Sequence, residues 1–433
     1  MEIRRPHLSY TRGSLKIGGI SAKTLAGRYG TPLYVTDLDR VSRRCDQATS
    51  AITKEYPNSL LAFATKSNST LEVVAALVRR GAGATIVSLA GLRLIRASGV
   101  DPRNVVFDGP SKSVEELAGA IEAGIGMINA ESTQEVDDIE RLCSKLGVKS
   151  CRVGFRVNLD IRADTHAGLA TGSRESKFGV PREEVVQYCR KRYPGLKRVK
   201  LVGLHCHIGS QVNNFVTFRQ MTEEMVRLAD EMERYGIVKI EEFNFGGGLG
   251  FAYSDEKVLD FRDYAEATAG RFATLRGRDR SREARLVFEL GRSIVADSTV
   301  LITRVNYLKT AGRTQWALVD AGMNDFLRPA LYGAYHEIVT ADVRHTARAD
   351  VAYSIGGPVC ESTDAFGTDR RFGVKLTRGD LIAILDTGAY GTSMASQYNM
   401  RPLPLTVLVS RGKSRLAKQN FFPAPRLPLV RDA

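Results

Sequence analysis

Through the middle of the chain, short apolar runs alternate with longer amphipathic stretches. The runs at Leu60–Ala64, Ala84–Val87, Val105–Phe107, Met127–Asn129, Cys151–Val157, Leu201–Cys206, Glu242–Phe245 and Leu286–Glu289 predict strands. They are rich in β-branched residues or bounded by polar turns. Between them, Thr70–Arg80, Val114–Ala123, Gln134–Leu146, Phe215–Tyr235 and Phe261–Leu275 place apolar residues at helical spacing. Ser69, Ser113, Ser132, Asn214 and Asp260 stand where a side-chain oxygen can cap the first turn. Eight strands alternating with helices over about 250 residues have the rhythm of a (β/α)8 barrel. A doubly wound open sheet is the competing α/β solution. Periodicity does not separate the two; the strand count and the motifs at strand ends favour the barrel.

After Val300 the texture changes. Leu301–Leu308, Trp316–Val319, Val351–Ser354, Leu381–Leu385 and Leu405–Val409 are strand-like runs separated by Gly, Asp and Pro turns. Leu8–Ile17 has the same character and precedes a helical pattern at Ala22–Tyr29. The pattern predicts a mostly-β C-terminal region beside the barrel.

With 433 residues, 43% hydrophobic and 25% charged, the chain is long enough for two domains and can bury a large core. Lys and Arg total 62 against 48 Asp and Glu, a formal charge of +14. The basic residues are spread along the chain, and no zinc-finger spacing or RNP-type aromatic motif occurs, so nucleic-acid binding is not expected. The densest stretch, Arg276–Arg285, also carries Asp279 and Glu283 and reads as a solvated loop. The six cysteines form no C-x-x-C pair, which points to free thiols in a reducing compartment. Met1–Pro6 is polar, and no run of about 18 apolar residues occurs, so neither a signal peptide nor a membrane span is expected and a cytoplasmic location is.

The ends of the predicted strands carry the chemistry. Lys66 closes the first: it is either a surface charge or a partly desolvated amine able to form a Schiff base. His205 and His207 lie two apart, so on a strand they share a face. A core histidine, a metal ligand without an obvious third partner, and a ring stacked on an aromatic cofactor with Ser210 near a phosphate all fit. Gly246, Gly247 and Gly248 free backbone N–H groups to converge on an anion, although many turns look alike. Glu289 at the end of an apolar strand is costly unless paired, either with Arg292 or with a proton on a cofactor ring nitrogen. Three later loops, Asp320–Tyr332, Gly356–Asp364 and Gly388–Met394, mix glycine with charged or reactive groups.

Taken in order, these clusters resemble the fold-type III pyridoxal-phosphate decarboxylases, and within them the branch acting on diaminopimelate. The likeness runs from about Tyr29 to Val409. It includes Thr165-His166 through Ser176-Lys177-Phe178-Gly179, the H-C-H-I-G-S-Q string at 205–211 and A-G-M-N-D-F-L-R-P-A-L-Y from Ala321. It continues with G-P-V-C-E-S-T-D from Gly357 and G-A-Y-G-T-S-M from Gly388. The resemblance implies a (β/α)8 barrel over 37–300 and a discontinuous β-domain of 1–36 and 301–433, in head-to-tail homodimers with active sites at the interface. It implies pyridoxal 5'-phosphate bound covalently at Lys66, stacked on His207, with its phosphate on Ser210, Gly246, Gly247, Gly248 and Tyr390. Glu289 would pair with the pyridine nitrogen. Arg292, Arg328 and Tyr332 would hold a distal substrate carboxylate, Glu361 the distal amine, and Cys360 would donate a proton.

The implied reaction is decarboxylation of meso-diaminopimelate to L-lysine. A carboxylate beside the ring nitrogen keeps the electron sink protonated, where racemases of this class place an arginine. Two arginine forks suit a distal carboxylate that lysine or ornithine lacks. The chain departs from the family at Leu290 and Leu159, where proline is usual, and at Thr85 and Gly91, where acids are usual on what reads as the active-site face. Those changes leave open a paralogous decarboxylase for another amino acid with a distal carboxylate or carrier-bound group. A catalytically silent cofactor-binding or regulatory relative is the third reading.

Overall fold

The computed structural model describes residues 3–161, 175–234, 236, 238–281, 284–342, 349 and 351–418, the side chains of 277–281 excepted. Thr165, His166, Tyr235, Arg282 and Glu283 of the sequence motifs lie outside the described residues. No helix among the described residues is long and apolar enough to cross a membrane.

Eight parallel strands close into a barrel. They are β1 (Ser59–Ala64), β2 (Gly83–Ile86), β3 (Val105–Phe107), β4 (Met127–Ala130), β5 (Cys151–Asn158), β6 (Val199–His205), β7 (Glu242–Asn244) and β8 (Arg285–Phe288). Each pairs with the next, and β8 returns to β1. This closed ring decides against the open doubly wound sheet. Alternate residues face opposite sides of each strand. Leu61, Phe63, Phe107, Phe155, Phe243 and Phe288 point outward and join the large core beneath the helices. Leu60, Ala62, Val106, Met127, Val202 and Val287 meet inside the barrel as a separate apolar cluster.

Most predicted helices form near their expected bounds. Ser113 caps Val114–Glu122 with a complete capping box, Ser132 caps Thr133–Lys145, and Asp260 caps Phe261–Ala265. Asn214 Oδ1 accepts from the Val216 and Thr217 N–H groups. Ser69 is not a cap: the helix Leu71–Val78 starts after Thr70, whose N–H donates to Asn68 Oδ1. In the Arg276–Arg285 stretch, residues 276–281 are helix and Arg285 is strand, where a solvated loop was expected. After one π turn at Glu266–Gly270, a further helix runs Arg271–Ser281. Arg276 is 8% exposed and pairs with Asp230 and Glu233; Arg285 lies on β8.

Among the helices of eight or more residues, Leu38–Glu55, Leu89–Ser98 and Arg182–Lys191 escape the hydrophobic pattern. The first buries Val41, Cys45, Ala48 and Ile52 at helical spacing.

The second sheet runs in the order Ala365–Arg371, Ala352–Gly356, Thr314–Val319, Thr299–Ala311, Leu33–Asp37, Leu405–Ser410, Lys413–Leu416. Leu33–Asp37 comes from before the barrel yet sits between Thr299–Ala311 and Leu405–Ser410, and all five of its residues are buried. The β-region therefore takes strands from both ends of the chain. Arg5 ties the N-terminal segment to it through a part-buried pair with Asp386.

Candidate active site

The loops after the carboxyl ends of the barrel strands converge on Lys66. It sits in the 3-10 turn Thr65–Ser67 that follows β1. Its neighbours Thr65 and Ser67 are buried, but Lys66 itself is exposed, so the expectation of a partly desolvated amine does not hold in the single chain. The turn is fixed from both domains. Thr65 Oγ1 donates to the Thr85 carbonyl at 2.8 Å, and the Tyr390 N–H donates to the Ser67 carbonyl at 2.7 Å. Asn68 Nδ2 reaches the Gly388 carbonyl at 2.9 Å. The β-domain loop is thereby tied to the lysine-bearing turn.

Lys66, His207, Ser210, Gly247, Gly248, Glu289, Arg292 and Tyr390 line one cavity. Side chains at the glycine turn are excluded by close approach. A Cβ at Gly246, Gly247 or Gly248 would lie 2.8 Å from the Cys206 carbonyl, 2.4 Å from the Glu289 carbonyl or 2.5 Å from the Gly209 carbonyl. Gly246 and Gly248 also hold positive φ. The Gly247 N–H donates to His207 Nδ1 at 3.3 Å. Burial, and then the Lys66 ammonium, push the His207 imidazole well below its ordinary range.

Glu289 is 7% exposed and accepts from Asn244 Nδ2 at 2.7 Å. Burial, and then the charge of Asp108, hold its carboxyl well above the ordinary carboxylate range. Arg292 does not pair with it. Its Nε and Nη2 donate to Ser210 Oγ at 3.3 and 3.0 Å, and its guanidinium lies over the Tyr390 ring. Its Nη1 donates to Tyr253 Oη at 3.0 Å. Arg328 Nη1 donates to the same hydroxyl at 2.8 Å. Arg328 begins the short helix that ends at Tyr332. The two guanidiniums, 6% and 4% exposed, therefore converge on one phenol, and among the described residues neither pairs with a carboxylate.

Cys360 and Glu361 do not join this group. Both are exposed, beyond the strand Ala352–Gly356, and do not line the cavity. Their loop is braced by Asp364, which accepts from the Val359 and Met323 N–H groups at 2.7 and 2.6 Å. Gly91 also departs from expectation. A Cβ there would fall 2.7 Å from Ile86 Cβ, so position 91 faces the layer between barrel and helices rather than Lys66. Thr85, in contrast, is buried on β2, its hydroxyl 3.5 Å from the Ala62 carbonyl.

Sequence reasoning passed over Asp108, Asn244 and Tyr253 and left His205 undecided. All four are buried around the site. Asp108 had a signal: it ends Val105-Val106-Phe107-Asp108, an acid closing an apolar run as Glu289 does. The Ser176–Gly179 motif has a structural task. The Gly179 N–H donates to Glu131 Oε2, Glu131 pairs with Arg156, and Phe178 lies under the Arg156 guanidinium.

An amine, an imidazole, a side-chain-free glycine turn and a buried carboxyl around one cavity fit a phosphorylated pyridine aldehyde. Residues 38–296 match the family described as "Pyridoxal-dependent decarboxylase, pyridoxal binding domain". The chain belongs to the pyridoxal-dependent decarboxylases. Among members of that family it is 38% identical to a diaminopimelate decarboxylase from Aquifex aeolicus, over 96% of this chain and 95% of the relative. It is 39% identical to one from Pseudomonas aeruginosa, over 93% of each. The diaminopimelate decarboxylase structure from M. jannaschii in co-complex with L-lysine superposes with a TM-score of 0.88 at 34% identity, covering 95% of this chain and 94% of that one. This pyridoxal-dependent decarboxylase thus shares both barrel and β-domain with its relatives.

Proposed function

We propose that the protein converts meso-diaminopimelate to L-lysine and CO2 with pyridoxal 5'-phosphate held at Lys66. The observation that carries the substrate is the pair Arg292 and Arg328. Two buried guanidiniums lacking an acidic partner among the described residues, and joined by one phenol, form a receptor for a carboxylate. A diamine-forming substrate would leave them uncompensated.

The other roles follow from the chemistry of each group. The bound cofactor supplies the sink for the electron pair that departing CO2 leaves behind. Lys66 would tether it, His207 would lie against the ring face, and Ser210, Gly246, Gly247, Gly248 and Tyr390 would hold the phosphate. Glu289 would share a proton with the ring nitrogen and so keep the ring an electron sink. Arg292, Arg328 and Tyr332 fix the distal carboxylate, which turns the reacting carboxylate into register. Cys360 and Glu361, remote from the cavity of their own chain, act from a second copy: Cys360 returns a proton to the reacting carbon and Glu361 holds the distal amine. The working unit is then a homodimer, with 37–300 as barrel and 1–36 plus 301–433 as β-domain, in the cytoplasm.

The test is a substrate panel. Purified protein with pyridoxal phosphate is given meso-diaminopimelate, lysine, ornithine, arginine and glutamyl derivatives, and products are identified by mass. Lysine and CO2 should appear from diaminopimelate, with substrates lacking the distal carboxylate slower by roughly 100-fold or more. A protein that binds the cofactor but leaves diaminopimelate intact, or prefers another member of the panel, overturns the reading.

A further inference from the structure

The two buried guanidiniums meet at a residue that neither of their own elements carries. Tyr253 lies beyond the glycine turn after β7, Arg292 follows β8, and Arg328 opens its helix in the β-domain. The Tyr253 oxygen accepts from Arg292 Nη1 at 3.0 Å and from Arg328 Nη1 at 2.8 Å, so both of its lone pairs are spent on cations. The ring is fixed independently. Phe251 and His336 pack edge-on against it, with centroids 4.9 and 4.7 Å away, and the Tyr253 N–H donates to Glu256 Oε1 at 2.7 Å. His336 is wholly buried, and its Nδ1 lies 2.9 Å from the Leu385 carbonyl. A carbonyl only accepts, so Nδ1 carries the hydrogen. A second hydrogen on Nε2 would set another cation against Arg328, so Nε2 faces Arg328 with its lone pair.

The two arginines are not equivalent. Arg292 spends Nε and Nη2, its two-pronged edge, on Ser210 Oγ. Arg328 spends its Nη1 hydrogens, one on Tyr253 and one on His336 Nε2 at 3.4 Å. Its Nε and Nη2 meet no acceptor among the described residues. Those two nitrogens form the edge that grips both oxygens of a carboxylate in parallel hydrogen bonds. The Arg328 guanidinium also lies over the Tyr253 ring, 4.8 Å from its centroid. It therefore cannot swing away without losing the phenol oxygen, the imidazole nitrogen and the ring face together.

We propose that Tyr253, backed by His336, is a positioning residue for substrate selectivity: it fixes Arg328 with the Nε–Nη2 edge presented to a distal carboxylate, and keeps the two guanidiniums converged before that anion arrives. Without the phenol oxygen, two like charges face each other with no acceptor between them and move apart. An incoming carboxylate then has to order both side chains as it binds, which weakens it. The effect falls only on ligands that carry the carboxylate, because an amine end makes no use of Arg328. This role rests on the diaminopimelate reading above.

A matched pair of ligands isolates the carboxylate. L-lysine, the product expected from diaminopimelate, keeps the distal carboxylate; diaminopentane is the same molecule without it. Dissociation constants for both are measured by calorimetry on the parent, Tyr253→Phe and His336→Asn, each loaded with pyridoxal phosphate, beside KM and kcat for diaminopimelate. The parent should bind L-lysine about tenfold or more tighter than diaminopentane. Tyr253→Phe keeps the ring, its edge contacts and the face under Arg328, and removes only the oxygen. It should weaken L-lysine about tenfold and diaminopentane less than about twofold, and raise KM more than it lowers kcat. His336→Asn keeps a donor for the Leu385 carbonyl and loses the acceptor facing Arg328. It should cut the preference for L-lysine about threefold, and it decides alone should Tyr253→Phe fail to fold. A parent-like preference in the folded Tyr253→Phe, or equal weakening of both ligands as a merely structural role would give, overturns the positioning role and leaves the substrate reading standing. A parent that binds the two ligands alike has no carboxylate receptor, and overturns both.

Discussion

Two layers inside one barrel differ completely in chemistry though they are built by the same strands. The lower layer, with Leu60, Ala62, Val106, Met127, Val202 and Val287, is aliphatic apart from one thioether. Two residues further along three of those strands the inward positions become Asp108, Asn129 and Glu289. The period of two guarantees that Val106 and Asp108, Met127 and Asn129, and Val287 and Glu289 face the same way. One register step therefore separates a layer that holds the barrel closed from a layer that costs stability and carries ionisable groups. The lower layer supplies the stability on which the buried charges above depend.

The contrast can be tested by substitution. Lys66→Ala, at the upper end, should abolish turnover and the visible cofactor band while leaving the unfolding temperature near that of the parent. Loss of folding instead would move Lys66 into the structural layer. Met127→Ala, at the lower end, should cost about 2–4 kcal/mol in denaturant unfolding, because the cavity left among Val106, Val202 and Val287 cannot collapse fully. The folded fraction should still bind the cofactor; intact stability with lost binding would erase the distinction between layers. Arg328→Ala should raise KM for diaminopimelate roughly 10- to 100-fold with a smaller effect on kcat. An unchanged KM would remove the carboxylate receptor.

The smallest effect concerns the far end of the barrel, where Glu242 starts β7. Burial raises its carboxyl to about 7, against Arg285 and Arg152. The folded state therefore binds this proton more tightly than the unfolded chain between pH 4.5 and about 7. Its contribution to stability is fully present below that window and is lost as pH rises through it. Glu242→Gln should raise the unfolding free energy at pH 8, by on the order of 1–2 kcal/mol, and leave it nearly unchanged at pH 4.5. A pH-independent difference between the two proteins would show that the carboxyl is not the source.

Much of this was legible without coordinates. Alternation placed all eight barrel strands within a residue or two, because inward and outward faces both need apolar residues below the site. The order of the motifs assembled Lys66, His207, Ser210, the glycine turn, Glu289, Arg292 and Tyr390, and the structure gathers these around the site. Local patterns failed where burial was decided by distant chain. Arg276 resembles a solvated charge until Asp230 and Glu233 of another helix surround it. Leu33–Asp37 gives no sign that a sheet from the other end of the chain will flank it on both sides. Gly91 reads as a lost acid at the site, whereas its helix packs so closely on Ile86 that a side chain would collide there.

By itself the sequence determined the alternation of strand and helix, the mostly-β texture after Val300 and the kinds of group standing at the strand ends: an amine, an imidazole, a carboxyl and a glycine turn. Those are local properties: the period of two, the chemistry of a side chain and the freedom of glycine do not depend on what lies across the molecule. Only the tertiary structure decided that Asp108, His205 and Glu289 meet, that Tyr253 joins Arg292 to Arg328, and that Cys360 and Glu361 lie away from the cavity of their own chain. Ring closure sets those distances. It brings together residues from separate strands at one depth in a dry interior, where proximity and desolvation rather than residue type set the charge each group carries.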